Sequence, residues 1–396
     1  MKTRPFLIFV IVTAIVSAAS HLALRGDCDL SYAQAPLLAS TRGLAIEPLP
    51  QPGRGVSYID GDSPYYAMTC ESLLRDGDLD ITNNITSSAD LSISREELRP
   101  HEGFFAVSPG GRVVPKHSTL LPILSVPFRW LFGIHGYLVI NVIVAILLVI
   151  SVAKLAGDTN AARLLAFGLF ITSSWFGYTF NYSPDLFVAL LITAAFAFAR
   201  YERWLLCGVM AGLAVWAKAY AAVILLPLAI IIVPAGVRAT LLAVCGSSFG
   251  IIPMLWINMV LYGGPLVTGY DCDGRINAAG NGFITREHYS LFNQPMVQGT
   301  INVLFDLRAG MIRTAPAWFL WPFGLLMILQ QPTGFPKRFA ISLALASLFN
   351  VLLFAHYECW DATTNGNRFL FPAVALGGAL LEPLVALLLD RISKRR

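Results

Sequence analysis

Charged residues are scarce in this chain: only 13% of its 396 positions are Asp, Glu, Lys or Arg, against 56% hydrophobic. That balance excludes an ordinary soluble domain, and a mean hydropathy of +0.64 points the same way. No basic patch with interleaved aromatics occurs, and the net charge is only +4, so nucleic acid is not an expected partner. Cysteine is limited to six residues without a Cys-x-x-Cys pair, and no His-x-x-x-His array accompanies them, which argues against a structural zinc site. There is no internal repeat and no low-complexity tract.

What the chain does have is apolar runs. They fall at 5–24, 136–155, 162–180, 184–199, 204–217, 219–234, 239–262, 314–331, 339–356 and 369–389, and runs of about 18 or more residues read as transmembrane helices. The fold class expected is an all-α membrane protein of about ten spans, with 1–396 forming one polytopic domain. The first run follows Met1-Lys-Thr-Arg4 and is long enough to span, so an uncleaved first helix is preferred to a signal peptide. Three runs, at 184–199, 204–217 and 219–234, are short for a span.

Charge fixes the expected orientation. With the N-terminus inside, Lys154 and Arg163, Arg200 and Arg203, Arg238, Lys337 and Arg338, and the C-terminal basic cluster all fall on the cytoplasmic side, as the positive-inside rule requires. Counting 119–134 as a span would reverse this parity. That stretch holds Pro122, Pro127 and Arg129, and reads instead as an amphipathic helix on the outer membrane face. Residues 292–307 read as a second one. The long segments 25–135 and 263–313 then face out, and both termini face in.

Of the cysteines, Cys207 and Cys245 sit in spans and read as apolar packing residues. Cys28, Cys70, Cys272 and Cys359 face the oxidising side, where two disulfides with three alternative pairings are open.

The first outer segment contains Tyr58-Ile-Asp-Gly-Asp-Ser-Pro-Tyr-Tyr-Ala67. Ser63-Pro64 suits a helix start, with serine as N-cap and proline at the first position. Asp62 precedes the positive end of that helix, which favours its ionised form; ionised, it can accept a proton from a hydroxyl. Cations gather on the same side: Lys116, His117, Arg129, Lys218, Arg275, Arg308, Arg313 and Arg368. The bland readings are an aspartate turn and separate headgroup anchors. The functional reading joins them: cations bind an anionic lipid phosphate, and a carboxylate acts beside it. A sugar leaving from a lipid phosphate needs no general acid, only cations to stabilise the departing charge, while the attacking hydroxyl needs a base.

Four segments then resemble a known family. Asp62-Ser-Pro-Tyr-Tyr-Ala67 resembles a first-loop Asp-Glu-x-x-Tyr-Ala pattern, and Pro115-Lys-His-Ser-Thr-Leu-Leu-Pro122 a later lysine-containing stretch of that loop. Gly212-Leu-Ala-Val-Trp-Ala-Lys218 resembles a Gly-Leu-Ala-x-x-x-Lys segment. Trp360 with Asn365-Gly-Asn-Arg-Phe-Leu-Phe-Pro372 resembles a final-loop Trp, Gly-x-Arg and Pro pattern. Together they are similar to the GT-C superfamily of polytopic glycosyltransferases, in its bacterial branch of protein mannosyltransferase-like and lipid A aminoarabinose transferase-like enzymes. Ser63 departs from the family's glutamate and leaves Asp60 as the second acid.

The resemblance implies transfer of a sugar from a polyprenyl-phosphate donor to a glycan, lipid or protein acceptor on the outer face of a bacterial inner membrane. Asp62 is the implied base, with Asp60 beside it. Lys116, Lys218 and Arg368 are the implied phosphate ligands, with Arg308 a further candidate. A divalent metal is compatible with the outer acids, but no ligand set is legible. The competing class is a transporter or flippase of a lipid-linked glycan, which would place ionisable groups inside the spans. Here Asp185, at a span end, and Glu382 are the exceptions to nearly charge-free spans.

Overall fold

The structure, a computed structural model, describes residues 63–85, 105–272, 274–276, 283–285, 292–330, 335–358, 360 and 367–394. The run at 5–24, Asp60, Asp62, Cys28, Cys359 and the loop at 361–366 lie outside the described residues.

Most of what is described is helix. The principal helices are α1 (Ser63–Arg75), α2 (Leu120–Phe132), α3 (Gly136–Leu155), α4 (Asn160–Thr172), α5 (Pro184–Arg200), α6 (Trp204–Ala217), α7 (Ala221–Leu225), α8 (Val237–Tyr262), α9 (Met296–Phe305), α10 (Trp321–Leu329), α11 (Phe335–Ala355), α12 (Phe371–Ala379) and α13 (Glu382–Lys394). Three helical stretches are long and apolar enough to cross a membrane: Gly136–Leu155, Val237–Tyr262 and Lys337–Ala355. A fourth crossing is formed if Arg368–Ala379 and Glu382–Lys394, bent by 50° at their junction, are one span.

The other expected spans are shorter or broken, for visible reasons. The 162–180 run stops at Ser173, whose backbone is extended, and resumes as a single turn at Trp175–Tyr178. The 219–234 run is split into short α and 3-10 pieces, with Pro227 and Pro234 each opening a 3-10 turn. Proline lacks the N–H that a continuous helix would use. Near 314–331 a 3-10 turn at Pro316–Leu320 precedes α10.

The bundle is built around α5. Its residues are buried along nearly the whole length, Phe198 and Arg200 being the partial exceptions. Helices α3, α6 and α12 pack on it. Against α6 lies α8, and small residues explain how closely. Gly208 and Gly212 face Gly246 and Gly250; a Cβ at any of the four would fall 1.9–2.2 Å from backbone atoms of the opposing helix. Two small-x-x-x-small stripes thus bring two backbones into contact, a common solution where lipid replaces water. The outer face of α8 is left exposed, with Val237, Leu241, Phe249, Ile252 and Trp256 on the surface.

Several expectations for the loops change. The first outer segment holds a core helix: α1 buries Tyr65, Tyr66, Ala67, Met68, Thr69 and Cys70 against α2 and its neighbours. Ser63 is the first helical residue, one place inside the N-cap position expected for it. The loops also contain two small antiparallel ribbons, β1 (Phe105–Val107) with β2 (Val113–Pro115) and β3 (Gly274–Ile276) with β4 (Phe283–Thr285). Cys70 and Cys272 are free thiols, not disulfide partners, and burial pushes the Cys70 thiol up to about 12. Cys207 is buried as expected, whereas Cys245 is exposed on α8.

The stretches 119–134 and 292–307 do contain helices, α2 and α9. In α2, however, Arg129 is turned inward. It is 7% exposed, and its Nε donates to Glu71 Oε1 at 2.5 Å. The same oxygen accepts from the Tyr137 hydroxyl at 3.0 Å, and Glu71 Oε2 accepts from Arg75 at 3.1 Å. Glu71 therefore ties three helices together through Arg129 and Tyr137, and Arg129 is not a headgroup anchor.

Lys154, Arg163 and Arg200 collect at one end of the bundle. Lys154 and Arg163 both pair with Asp158, Arg200 donates to Leu155 O, and Glu382 accepts from Thr159.

Candidate active site

The opposite end of the bundle gathers the remaining polar residues. The first anchor is the start of α1. Ser63 Oγ donates to Asn181 Oδ1 at 2.8 Å, and Asn141 on α3 donates to Asn181 O. Asn181 stands just before Ser183-Pro184, the start of α5. Ser183 caps that helix by accepting from Asp185 N, and its hydroxyl donates to Asp185 Oδ2 at 2.6 Å. The N-termini of α1 and α5 are thereby held side by side.

From α1 an aromatic chain leads to the lysines. Tyr66 stacks on His117, with ring centroids 5.2 Å apart, and meets Tyr182 edge-on. His117 Nδ1 lies 2.9 Å from the Tyr270 hydroxyl, and Lys116 Nζ is 5.2 Å from the centre of the Tyr270 ring. The 116–119 loop is pinned on two sides: Tyr262 donates to Pro115 O at 2.7 Å, and Ser118 donates to Trp216 O at 2.6 Å. A Cβ at Gly269 would lie 2.3 Å from Lys116 O, so only glycine allows the Thr268–Tyr270 turn to close over the lysine.

Lys116 and Lys218 line one cavity of about 80 Å³, together with His117, Trp216, Asn258 and Tyr270. Lys218 gets there because α6 ends at Ala217 and Lys218 takes an extended backbone. Val215 also belongs to the wall of a larger, mostly apolar groove of about 460 Å³ between α6, the broken 221–235 segment and α8. The lysine cavity and the apolar groove thus meet at Val215.

Arg368 joins from the far side. Its Nε lies 3.3 Å from Asp185 Oδ2. Tyr220, two residues after Lys218, is within electrostatic reach of Lys218, Arg368, Asp185 and Tyr66. Three of the four expected phosphate ligands are therefore grouped around one end of α5. The fourth is not. Arg308 is 86% exposed, pairs with Asp306 in its own turn at 3.8 Å, and does not line the lysine cavity.

Sequence reading missed Asp185, Tyr220 and Tyr270 as parts of this cluster. Asp185 carried a signal: Ser183-Pro184-Asp185 repeats the helix-start chemistry of Asp62-Ser63-Pro64 at the mouth of an otherwise apolar run. Its carboxylate is 2% exposed, and Oδ1 has no hydrogen-bond partner among the described residues. Tyr220 and Tyr270 were not distinguishable from interfacial aromatics. Among the described residues no three acids, histidines or cysteines form a metal-holding group.

Arranged this way, the cluster can hold an anion between lysines while the Arg368 guanidinium, paired with Asp185, stands nearby.

The fold is one that two solved proteins share. The chain is similar to ArnT from Cupriavidus metallidurans bound to undecaprenyl phosphate, with a TM-score of 0.54 and 14% identity over 89% of this chain and 59% of that one. It is also similar to the Archaeoglobus fulgidus oligosaccharyltransferase in its apo form, with a TM-score of 0.52 and 14% identity over 95% of this chain and 51% of that one. The chain thus spans between half and three fifths of the length of these proteins. By sequence, no family model and no curated protein matches it.

Proposed function

We propose that this membrane protein transfers a sugar from a polyprenyl-phosphate donor to an acceptor hydroxyl at the Lys116–Lys218 end of the bundle. The observation that carries the reading is that the lysine cavity and the apolar groove adjoin at Val215. A lipid phosphate needs both: cations for its head and an apolar channel for its chain. The fold shared with a protein whose crystal form binds undecaprenyl phosphate supports the same donor class.

In the reaction, Asp62 takes the proton from the acceptor hydroxyl. The oxygen bonds to the anomeric carbon as the carbon–phosphate oxygen bond breaks, so configuration inverts. The electron pair leaves with the phosphate, and Lys116, Lys218 and Arg368 stabilise it. Asp60 supports the turn before Asp62, and a divalent ion held by outer acids is compatible with the scheme. The acceptor is a glycan, lipid or protein.

Replacing Lys116, Lys218 or Arg368 by alanine should weaken donor binding by about 1.5–3 kcal/mol each, the range for hydrogen bonds to charged groups. Titration with a polyprenyl-phosphate sugar measures this. Unchanged affinity in all three variants would return these residues to headgroup anchoring and remove the donor assignment.

The membrane arrangement we propose has about ten spans, both termini in the cytoplasm and the site on the outer face of a bacterial inner membrane. A cysteine placed at the exposed Arg112 should react with an impermeant maleimide added outside cells, and one at Lys394 should not. The reverse pattern would put the site on the wrong face for this reaction.

A further inference from the structure

A second cavity, of about 370 Å³, lies at the other end of α5. Its volume is within the range of small-ligand sites, about 300–1,000 Å³. It is separate from the lysine cavity: Arg200 lines it and Asp185 belongs to the first cluster, and fifteen residues of α-helix place them about 22 Å apart. The walls combine Ile328, Phe339, Leu343 and Leu380 with one cation, Arg200, and one anion, Glu382.

The two charges are held apart. Each is within electrostatic reach of the other, yet no ion pair within 4.0 Å joins them. Arg200 is fixed by its own contacts: Nη1 donates to Leu155 O at 2.8 Å, and the guanidinium lies 5.5 Å from the centre of the Phe339 ring. A Cβ at Gly157 would come within 3.0 Å of Nη2, so the glycine leaves that edge of the guanidinium clear. Glu382 is fixed by Thr159, whose hydroxyl donates to Oε1 at 2.6 Å while also capping α4. Oε2 makes no hydrogen bond among the described residues. A separated cation and anion beside an apolar wall match a ligand with both charges and a hydrocarbon portion.

We infer that this cavity binds the headgroup of a zwitterionic phospholipid, with the phosphodiester on Arg200 and a primary ammonium on Glu382. The apolar lining covers the glycerol and the first chain carbons. Charge complementarity selects this occupant over an anionic lipid, whose head would leave Glu382 facing like charge. The site is independent of the sugar-transfer reading.

The test uses the full chain in detergent, with the first bound lipid counted by native mass spectrometry during titration with phosphatidylethanolamine, phosphatidylglycerol or soluble phosphoethanolamine. Wild type should hold phosphatidylethanolamine about tenfold more tightly than phosphatidylglycerol, the ratio expected for one hydrogen-bonded charge pair. Glu382→Gln retains the shape and a group that can bond Thr159, and should abolish that preference. Ala379→Leu narrows the cavity without touching either charge and should weaken both lipids. Arg200 is a poor first choice because its contact with Leu155 O also supports the fold. Equal affinity of wild type for the two lipids overturns the inference. So does a preference that survives in Glu382→Gln, or competition by phosphoethanolamine as strong as by the lipid.

Discussion

Asp62→Asn is expected to lower turnover by about 10²–10⁴-fold, the usual contribution of a positioned general base, while donor affinity holds. Asparagine keeps the side-chain shape and removes the proton acceptor. The expectation rests on what lies immediately after Asp62. Ser63 begins α1 and is tied to Asn181 at the mouth of α5, and Tyr66, one turn on, stacks on His117 next to Lys116. The start of α1, which follows Asp62 directly in sequence, therefore lies at the same end as the lysine cavity, and a carboxylate just ahead of a helix N-terminus is favoured in its ionised form. Asp60→Asn should cost less, because Asp60 is two residues further from the helix. Single-turnover rates with a lipid-phosphate sugar separate chemistry from binding. Near-normal turnover in Asp62→Asn would transfer the role of base elsewhere, with the buried Asp185 the next residue to examine.

The second large effect concerns stability. Glu71 is fully buried and carries Arg129, Arg75 and the Tyr137 hydroxyl on its two oxygens. Removing one partner of such a buried pair typically costs about 3–5 kcal/mol, since the other charge is left uncompensated. Arg129→Met should therefore destabilise strongly, read as a loss of thermal stability of the detergent-solubilised protein. Changing both residues together, Glu71→Leu with Arg129→Met, should recover most of the loss, because the one charge that then loses its partner, Arg75, is partly exposed to solvent. If the double variant is as unstable as the single one, the pair contributes through geometry and not through charge compensation.

The sequence disclosed the helices whose apolar character is continuous. Runs at 136–155 and 239–262 became α3 and α8 almost residue for residue, and α8 continues even through Pro253. The 219–234 run misled: its hydropathy is as high as its neighbours', but Pro227 and Pro234 decide its backbone. The role of α1 was also hidden. Its apolar content is modest, and only the tertiary contacts reveal that even Glu71 is inside.

The sequence pointed to Lys116, Lys218 and Arg368 as cations outside the apolar runs, and they lie near one end of α5. Arg129 and Arg308 met the same criterion and went elsewhere, one into an internal ion pair and one to the surface. Charge type and chain position do not distinguish these outcomes; the partners do, and Glu71, Asp306 and Asp185 are far or near in sequence without regularity.

The central helix has a consequence for the shape of the water boundary. α5 has 17 residues, about 25 Å of helix at 1.5 Å per residue, whereas a hydrocarbon layer is about 30 Å thick. α8, with 26 residues on the periphery, reaches about 39 Å by the same rule. If the two stand alongside each other along the membrane normal, the ends of α5 sit below those of α8, which makes a basin over the shorter helix. Solutes would descend into such a depression from above, while long-chain molecules would slide in laterally through gaps in the wall. Bilayer thickness would then act as a control parameter, deepening or flooding the basin without any change in the protein's own contacts.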